Sequence, residues 1–396
     1  MRFRKITGVL LSFILLCLLV LPATAGAASN VKNVILMIGD GMGENHLLLA
    51  REHGVDLFMD KAADAHGFSR TRSYSDLVTD SAAGGTALAC GIRTRNYSVG
   101  VYPFDRAATL FTAKSLTEVA HEKGMKTGVV TTDKTMGATP ADFTAHTSAR
   151  GNYEDISAQQ VKQPFDLIWG NADGILTKAA VEAQGWTWVT TRAEMEALKA
   201  GSRSFAQFSG DTWRTTLDPE GNTPMLEGMT KKAIALLSAN APNGFFLMVE
   251  GAHIDKMSHK TSEGVHYASK VERTVDAMKG FDLAIKAAVD FARRDKHTIV
   301  LVTADHETGN LYPENGVMTF HSGSHTGSDV PVLVYCARGV VRPGETVDNY
   351  EIPIRLARAL GWDENTFPSA GQGKLFTFFL KIKQMLEQIR RLAGQM

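Results

Sequence analysis

Three short stretches set carboxylates and imidazoles at spacings that suit divalent metal ions. Gly39-Asp40-Gly41-Met42-Gly43 carries one carboxylate among glycines. Glu250-Gly251-Ala252-His253-Ile254-Asp255-Lys256-Met257-Ser258-His259 carries Glu250, then Asp255 and His259 four residues apart. At the start of a helix those last two would project from one face and could grip one ion. Ala304-Asp305-His306-Glu307-Thr308-Gly309 sets Asp305 beside His306, as on a loop that wraps an ion. His325, in Gly323-Ser324-His325-Thr326-Gly327, is a further candidate. Carboxylate with imidazole is a ligand set for zinc and related divalent ions. There are too many ligands here for one closed structural site, and two or three ions in a row would use them.

A metal cluster of this kind needs a reacting group. Thr79-Asp80-Ser81-Ala82-Ala83-Gly84-Gly85-Thr86 places a serine among small residues at a helix start, where free N–H groups and the positive end of the helix dipole favour a bound oxyanion. Small residues let such a helix approach a sheet closely. A serine hydroxyl is a poor nucleophile until a base or a metal lowers its pKa. From this motif alone, Ser81 reads first as a helix N-cap.

The elements that must position these residues are strands buried on both faces. Nearly continuous apolar runs over Asn33–Ile38, Lys126–Thr131, Gly244–Val249, His297–Thr303 and Val330–Tyr335 predict strands, and helical patterns such as Ser115–Lys123, Thr230–Ser238 and Lys270–Arg293 lie between them. The expected fold is α/β, a large, mostly parallel central sheet with helices on both faces in a three-layer α/β/α sandwich. The polar motifs follow three of the strands, and ligands bind outside the carboxyl ends of strands in open α/β sheets. The segment from Gly151 to Asn243 holds few such residues and reads as a flank of the pocket packed by Trp169, Trp186, Trp188 and Trp213.

The 396 residues carry 42 Lys+Arg and 42 Asp+Glu. This balance lacks the basic excess of a nucleic-acid binder, and three cysteines exclude a disulfide-stapled mini-protein. The balance is an average over unlike parts. Arg2, Arg4 and Lys5 precede an apolar run from Ile6 to Leu21, followed by Pro22 and small-residue cleavage sites around Ala25 and Ala27, the pattern of a secretory signal peptide over 1–27. An uncleaved anchor is the competing reading, and the run is short against the ~20 residues of a membrane span. Loss of that leader leaves 39 Lys+Arg against 42 Asp+Glu. It also leaves Cys90 and Cys336, which read as one disulfide or, equally, as two buried free thiols. The catalytic body is expected over 28–368. Residues 369–396 form a basic amphipathic helix that could lie on an anionic membrane surface, dock a partner or cover the fold.

Taken together, TDSAAGGTA, with GDGMG before it and VEGAHIDKMSH, TADHETG and GSHTG after it, resembles the alkaline phosphatase family. The motifs occur in the family's order and span Val34 to about Gly361. The short TADHETG-to-HTG connection is similar to compact bacterial members. The resemblance implies a secreted phosphomonoesterase acting on small phosphate monoesters through a phosphoserine on Ser81, with a homodimer as a further expectation. It implies two Zn2+ ions, one held by Asp255, His259 and His325, the other by Asp40, Asp305, His306 and Ser81. A Mg2+ ion would be shared by Asp40, Thr139 and Glu250. Arg150 matches the arginine that grips the phosphate, Asp80 would position it, and Lys256 falls near the phosphate.

One position departs from the family pattern. Family members commonly carry Asp or His two residues before the Thr of the third-ion site, and this chain has Gly137. The third ion is therefore expected to be held more weakly or with more water, unless a neighbouring side chain substitutes, with Asp133 the candidate. Competing readings are a phosphodiesterase or another hydrolase on the same metal frame, and a non-catalytic surface-binding protein. His46, His53, His66, His121 and His297 read as surface or packing histidines, and His321 as a candidate for the site mouth.

Overall fold

The computed structural model describes residues 31–103, 111–212, 214, 221–259, 269–337, 339–363, 366 and 367. The expected signal peptide, the expected C-terminal helix and Trp213 lie outside the described residues. The strands, in chain order, are β1 (Asn33–Gly39), β2 (Ala65–Arg70), β3 (Lys126–Lys134), β4 (Leu167–Asn171), β5 (Thr187–Val189), β6 (Ser204–Phe208), β7 (Phe245–Gly251) and β8 (Thr298–Thr303). Then come the short β9 (Glu307–Thr308), β10 (Leu311–Glu314), β11 (Val317–Phe320) and β12 (His325–Thr326), and finally β13 (Val330–Tyr335) and β14 (Thr346–Asp348). Ten of them form one sheet in the order β14-β2-β13-β8-β1-β7-β3-β4-β6-β5, and β10-β11 and β12-β9 form two small pairs.

Within the large sheet only β13 runs against its neighbours, pairing antiparallel with both β2 and β8. The five apolar runs singled out in the sequence are β1, β3, β7, β8 and β13, and they make the middle of the sheet, where both faces are covered. Alternation along β1 shows this directly. Ile35 and Met37 join one core with Met278, Phe281 and Ile285 of the helix Lys270–Asp295 and with Met229 and Ala233 of the helix Leu226–Ser238. Val34, Leu36 and Ile38 join a second core with Leu88 of the helix Ser81–Cys90, Leu116 of Leu116–Glu122 and Leu356 of Glu351–Ala359. The fold is thus an α/β sandwich of helices on a large, mostly parallel sheet. The long helix starts from a capping box: the Ser269 hydroxyl accepts from Glu272 N, and the Glu272 carboxylate accepts from Ser269 N.

Between Gly151 and Asn243 the chain adds β4, β5 and β6 to one side of the sheet. Trp169 is buried in the core there, and Trp186 and Trp188 flank Phe205. Cys90 and Cys336 are both free, so the disulfide reading is corrected. The expectation of two buried thiols is corrected in part: Cys90 is buried at its helix end, while Cys336, just past β13, is half-exposed. Among the described residues no helix is long and apolar enough to cross a membrane.

Candidate metal centre

Strand register brings the polar motifs to one edge. Ile38 of β1 is level with Glu250 of β7 and with Thr303 of β8, and Glu250 is level with Thr131 of β3. Residues immediately beyond these positions, including Asp40, Asp255 and Asp305, therefore emerge together. β13 explains why His325 precedes its strand when the other candidates follow theirs. Leu333 pairs with Val302 and Val334 with Leu301, so the antiparallel strand begins where the parallel ones end.

Two groups of ligand atoms result. Asp255, His259 and His325 form one, and Asp40, Asp305 and His306 the other, with the atoms of each group within 4.8 Å of one another. In the first, His259 Nδ1 meets the Gly323 carbonyl at 2.5 Å and His325 Nδ1 meets the Thr79 carbonyl at 3.0 Å. A carbonyl only accepts, so each Nδ1 carries a hydrogen and each neutral ring has its lone pair on Nε2. Those two Nε2 atoms lie 3.0 Å apart, with Asp255 Oδ1 at 3.0 and 3.5 Å from them. Lone pairs converging on one point call for a cation between them.

In the second group Thr308 fixes the tautomer. Its hydroxyl donates to Asp255 Oδ1 at 2.5 Å and sits 3.2 Å from His306 Nδ1, which must then donate to it. His306 Nε2 is left bare, 3.4 Å from Asp40 Oδ1, 3.3 Å from Asp305 Oδ2 and 3.2 Å from Ser81 Oγ. Asp40 Oδ1 and Asp305 Oδ2 are buried with no hydrogen-bond partner. Buried carboxylate oxygens without donors are costly unless a cation meets them, so both donor sets fit divalent ions.

The electrostatics agree. Burial, then the charges of Asp305, Asp255 and Glu250, push the Asp40 carboxyl well above its usual range. Burial and Asp255 push Asp305 up to about 7, and burial and Asp133 push Glu250 up to about 8. Burial keeps His306 neutral by lowering it well below the usual imidazole value. Burial raises Asp255 too, but in the metal-free cluster protonated His259 and His325, donating from Nε2 where a cation would otherwise sit, outweigh it and hold that carboxyl well below normal. Without bound cations the cluster is a set of crowded acids.

Ser81 is the first residue of its helix, and Asp80 is the N-cap. Asp80 Oδ1 accepts from Ala83 N at 3.1 Å and from Tyr97 N at 3.0 Å, and Oδ2 accepts from Arg150 Nη1 at 3.0 Å. The N-cap reading of Ser81 is thereby corrected, because the residue before it does the capping and the hydroxyl is left to face His306. The small residues have the expected use: a β-carbon on Gly84 would stand 2.8 Å from the Asp305 carbonyl oxygen, so glycine lets the helix lie against the ligand loop.

Thr139 is the second residue of the helix Ala138–Asp142, and its hydroxyl is buried with no partner. Glu250 takes a short hydrogen bond from the Thr131 hydroxyl. Lys256 donates to Asp133 Oδ1, so the structure gives that lysine a carboxylate partner. His321 stacks on Tyr312 with ring centroids 3.4 Å apart, His46 is fully buried against Ser258, and His253 meets the Thr132 hydroxyl. Thr308 is the residue that the sequence reading missed. Its signal was a hydroxyl two positions after His306, which only the tautomer argument makes meaningful.

Comparison with known proteins bears on most of the chain. The alkaline phosphatase family model matches residues 31–169 and 170–321. Alkaline phosphatase 4 of Bacillus subtilis is 34% identical over 320 residues, 74% of this chain and 65% of that protein. Alkaline phosphatase 3 of the same organism is 34% identical over 305 residues, 72% of this chain and 63% of that one. This chain thus spans somewhat under two thirds of those relatives. The crystal structure of the alkaline phosphatase from the Antarctic bacterium TAB5 superposes with a TM-score of 0.70 at 29% identity, covering 84% of this chain and 99% of that one. A variant of that enzyme has been solved with Mg bound in its M3 site. On the family match and these likenesses, the chain belongs to the alkaline phosphatase family.

Proposed function

We propose that the protein is an exported, metal-dependent phosphomonoesterase that passes the phosphoryl group through Ser81. The observation that carries this reading is the Ser81 hydroxyl, freed from capping by Asp80 and placed 3.2 Å from the bare Nε2 of His306, beside a group of buried, unpartnered carboxylate oxygens. Asp255, His259 and His325 would hold one zinc, Asp40, Asp305 and His306 a second, and Asp40, Thr139 and Glu250 a magnesium. Bound there, divalent ions supply what the side chains lack, a lowered pKa for hydroxyl or water and positive charge for the departing oxygen.

The chain's own part follows from its geometry. Ser81 Oγ attacks phosphorus in line. The Oγ–P bond forms as the Ser81 hydroxyl gives its proton to solvent water, the P–O bond to the alcohol breaks, and the departing oxygen takes a proton back from solvent. A water then attacks the phosphoserine, the P–Oγ bond breaks, and inorganic phosphate and a free hydroxyl result. Arg150 would take two phosphate oxygens at once. Burial works against its charge, but Asp80 and then Asp40 outweigh burial and raise its pKa further, so it stays a cation throughout. The Ser81–Cys90 helix contributes the partial positive charge of its first turn. The substrates are small phosphate monoesters, residues 1–27 serve export and 28–368 carry catalysis.

Purified protein loaded with zinc and magnesium is expected to hydrolyse p-nitrophenyl phosphate, and Ser81→Ala to lose about 10³-fold or more in kcat. Loaded protein that turns over no phosphate ester refutes the reading.

A further inference from the structure

Position 137 has no side chain, yet the space that one would fill is taken. A β-carbon built on Gly137 would overlap Asp133 Oδ2 and stand 2.9 Å from Asp133 Cγ and 3.0 Å from the Lys134 carbonyl oxygen. The carboxylate that occupies this volume arrives from the end of β3, four residues earlier in the chain. It is well anchored. Asp133 N donates to Thr131 Oγ1 at 2.8 Å, and the same Thr131 hydroxyl donates to Glu250. Asp133 Oδ1 accepts from Lys256 Nζ, while Oδ2 is the atom over Gly137. Gly137 is also the residue that leads into the helix bearing Thr139.

A buried atom two residues beyond Gly137 points to a ligand: the Thr139 hydroxyl lacks any partner. A cation shared by Thr139 and Glu250 would feel the Lys256 ammonium, whose charge acts on Glu250. Unopposed, that ammonium would repel it. Asp133 cancels the lysine charge and fixes where the lysine lies.

We propose that Asp133 is the positioning carboxylate of the third-ion site, filling from β3 the volume that Gly137 leaves open and tying Lys256 beside Glu250. The inference rests on the metal reading above and adds to it a residue and a reason for the glycine. A side chain at 137 and Asp133 are alternatives for one space. Asp133→Asn keeps the shape and removes the charge, and Gly137→Asp forces a second carboxylate into an occupied volume.

The test is Mg2+ affinity by titration calorimetry on the full-length, zinc-loaded protein, with zinc content measured in the same samples. Asp133→Asn and Asp133→Ala are each expected to lose about 10- to 100-fold in Mg2+ affinity with zinc content unchanged. Gly137→Asp alone is expected to lose affinity as well, and Asp133→Ala/Gly137→Asp to regain most of it, because the carboxylate has been moved rather than lost. Wild-type Mg2+ affinity in Asp133→Asn overturns the proposal, as does a double variant no better than Asp133→Ala. Wild-type protein that binds neither zinc nor Mg2+ instead refutes the metal reading on which the proposal stands.

Discussion

Thr308 joins the two ligand groups, because its hydroxyl donates to Asp255 at 2.5 Å while accepting from His306 Nδ1. One side chain thereby sets the orientation of a carboxylate in one group and the tautomer of an imidazole in the other. Thr308→Val keeps the shape and removes both bonds. Metal affinity is expected to fall about 10- to 100-fold, the range for loss of an outer partner of a metal ligand. Competition with a zinc chelator measures it, and unchanged zinc retention would show that Thr308 has no such role.

Asp80 divides its two oxygens between the start of its helix and Arg150. Oδ1 caps the helix, and Oδ2 holds Arg150. Asp80→Asn preserves an acceptor for the cap but weakens the hold on the guanidinium. It is expected to fold about as stably as the wild type while KM for a phosphate ester rises about tenfold, as for loss of a hydrogen bond to a charged group. Asp80→Ala removes the cap too and adds a stability cost of about 1 kcal/mol. Denaturant midpoints and KM for both variants separate the two functions, and a shared loss of stability with KM unchanged contradicts the division.

Metal removal should change how stability depends on pH. In the metal-free protein, Asp305 is pushed up to about 7 and Glu250 to about 8. Native protein then holds protons that the unfolded chain has already released, so these two groups make stability fall as pH rises from the ordinary carboxylate range to about 8, most plainly above 6.5, where the opposite contribution of the lowered His306 has ended. Thermal melts of chelator-treated protein should show Tm declining across that window, and divalent cations should restore it most at the alkaline end. A metal-free Tm that rises from pH 5 to pH 8 would contradict this.

A second pH effect lies at the pair His146 and Glu118, 3.0 Å apart and mostly buried. Burial opposes both charges, but each partner's hydrogen bond and charge outweigh it, raising His146 and lowering Glu118. The contribution of His146 is complete below its ordinary 6.5 and is lost as pH climbs through its raised value. That of Glu118 is complete above its ordinary 4.5 and is lost as pH drops through its lowered value. Wild type should therefore exceed His146→Gln in stability by the most between pH 4.5 and 6.5, by about 1.5–3 kcal/mol. Chemical denaturation across pH reads the gap, and a gap that widens above pH 8 would refute the pairing.

The middle of the fold was legible because β1, β3, β7, β8 and β13 are buried on both faces and read as unbroken apolar runs. The outer strands were not. β2 reads Ala-His-Gly-Phe-Ser-Arg, with alternate residues less buried, and β5 is only three residues long, so neither shows a run. The reversal of β13 was hidden for a different reason: direction is a property of pairing and leaves no mark on an apolar run. It is nonetheless what delivers His325 to the site. Asp40, Asp255, His259, Asp305 and His306 stood out by type and spacing. Asp133 could be named only as a candidate to stand in for Gly137, and Thr308 not at all, because a carboxylate that fills a glycine's space and a hydroxyl that sets a tautomer acquire meaning only from distances.

The most direct measurement is trapping of the enzyme in mid-reaction. Zinc- and magnesium-loaded protein is mixed with a phosphate monoester, quenched in acid within the first turnovers, digested and mapped by mass spectrometry. Phosphate should be found on the peptide containing Ser81, and should be absent from Ser81→Ala, which should also have lost turnover. A Ser81→Ala protein that still hydrolyses the ester at the wild-type rate, with no phosphate on that peptide in the wild type, would contradict the assignment of Ser81 as nucleophile.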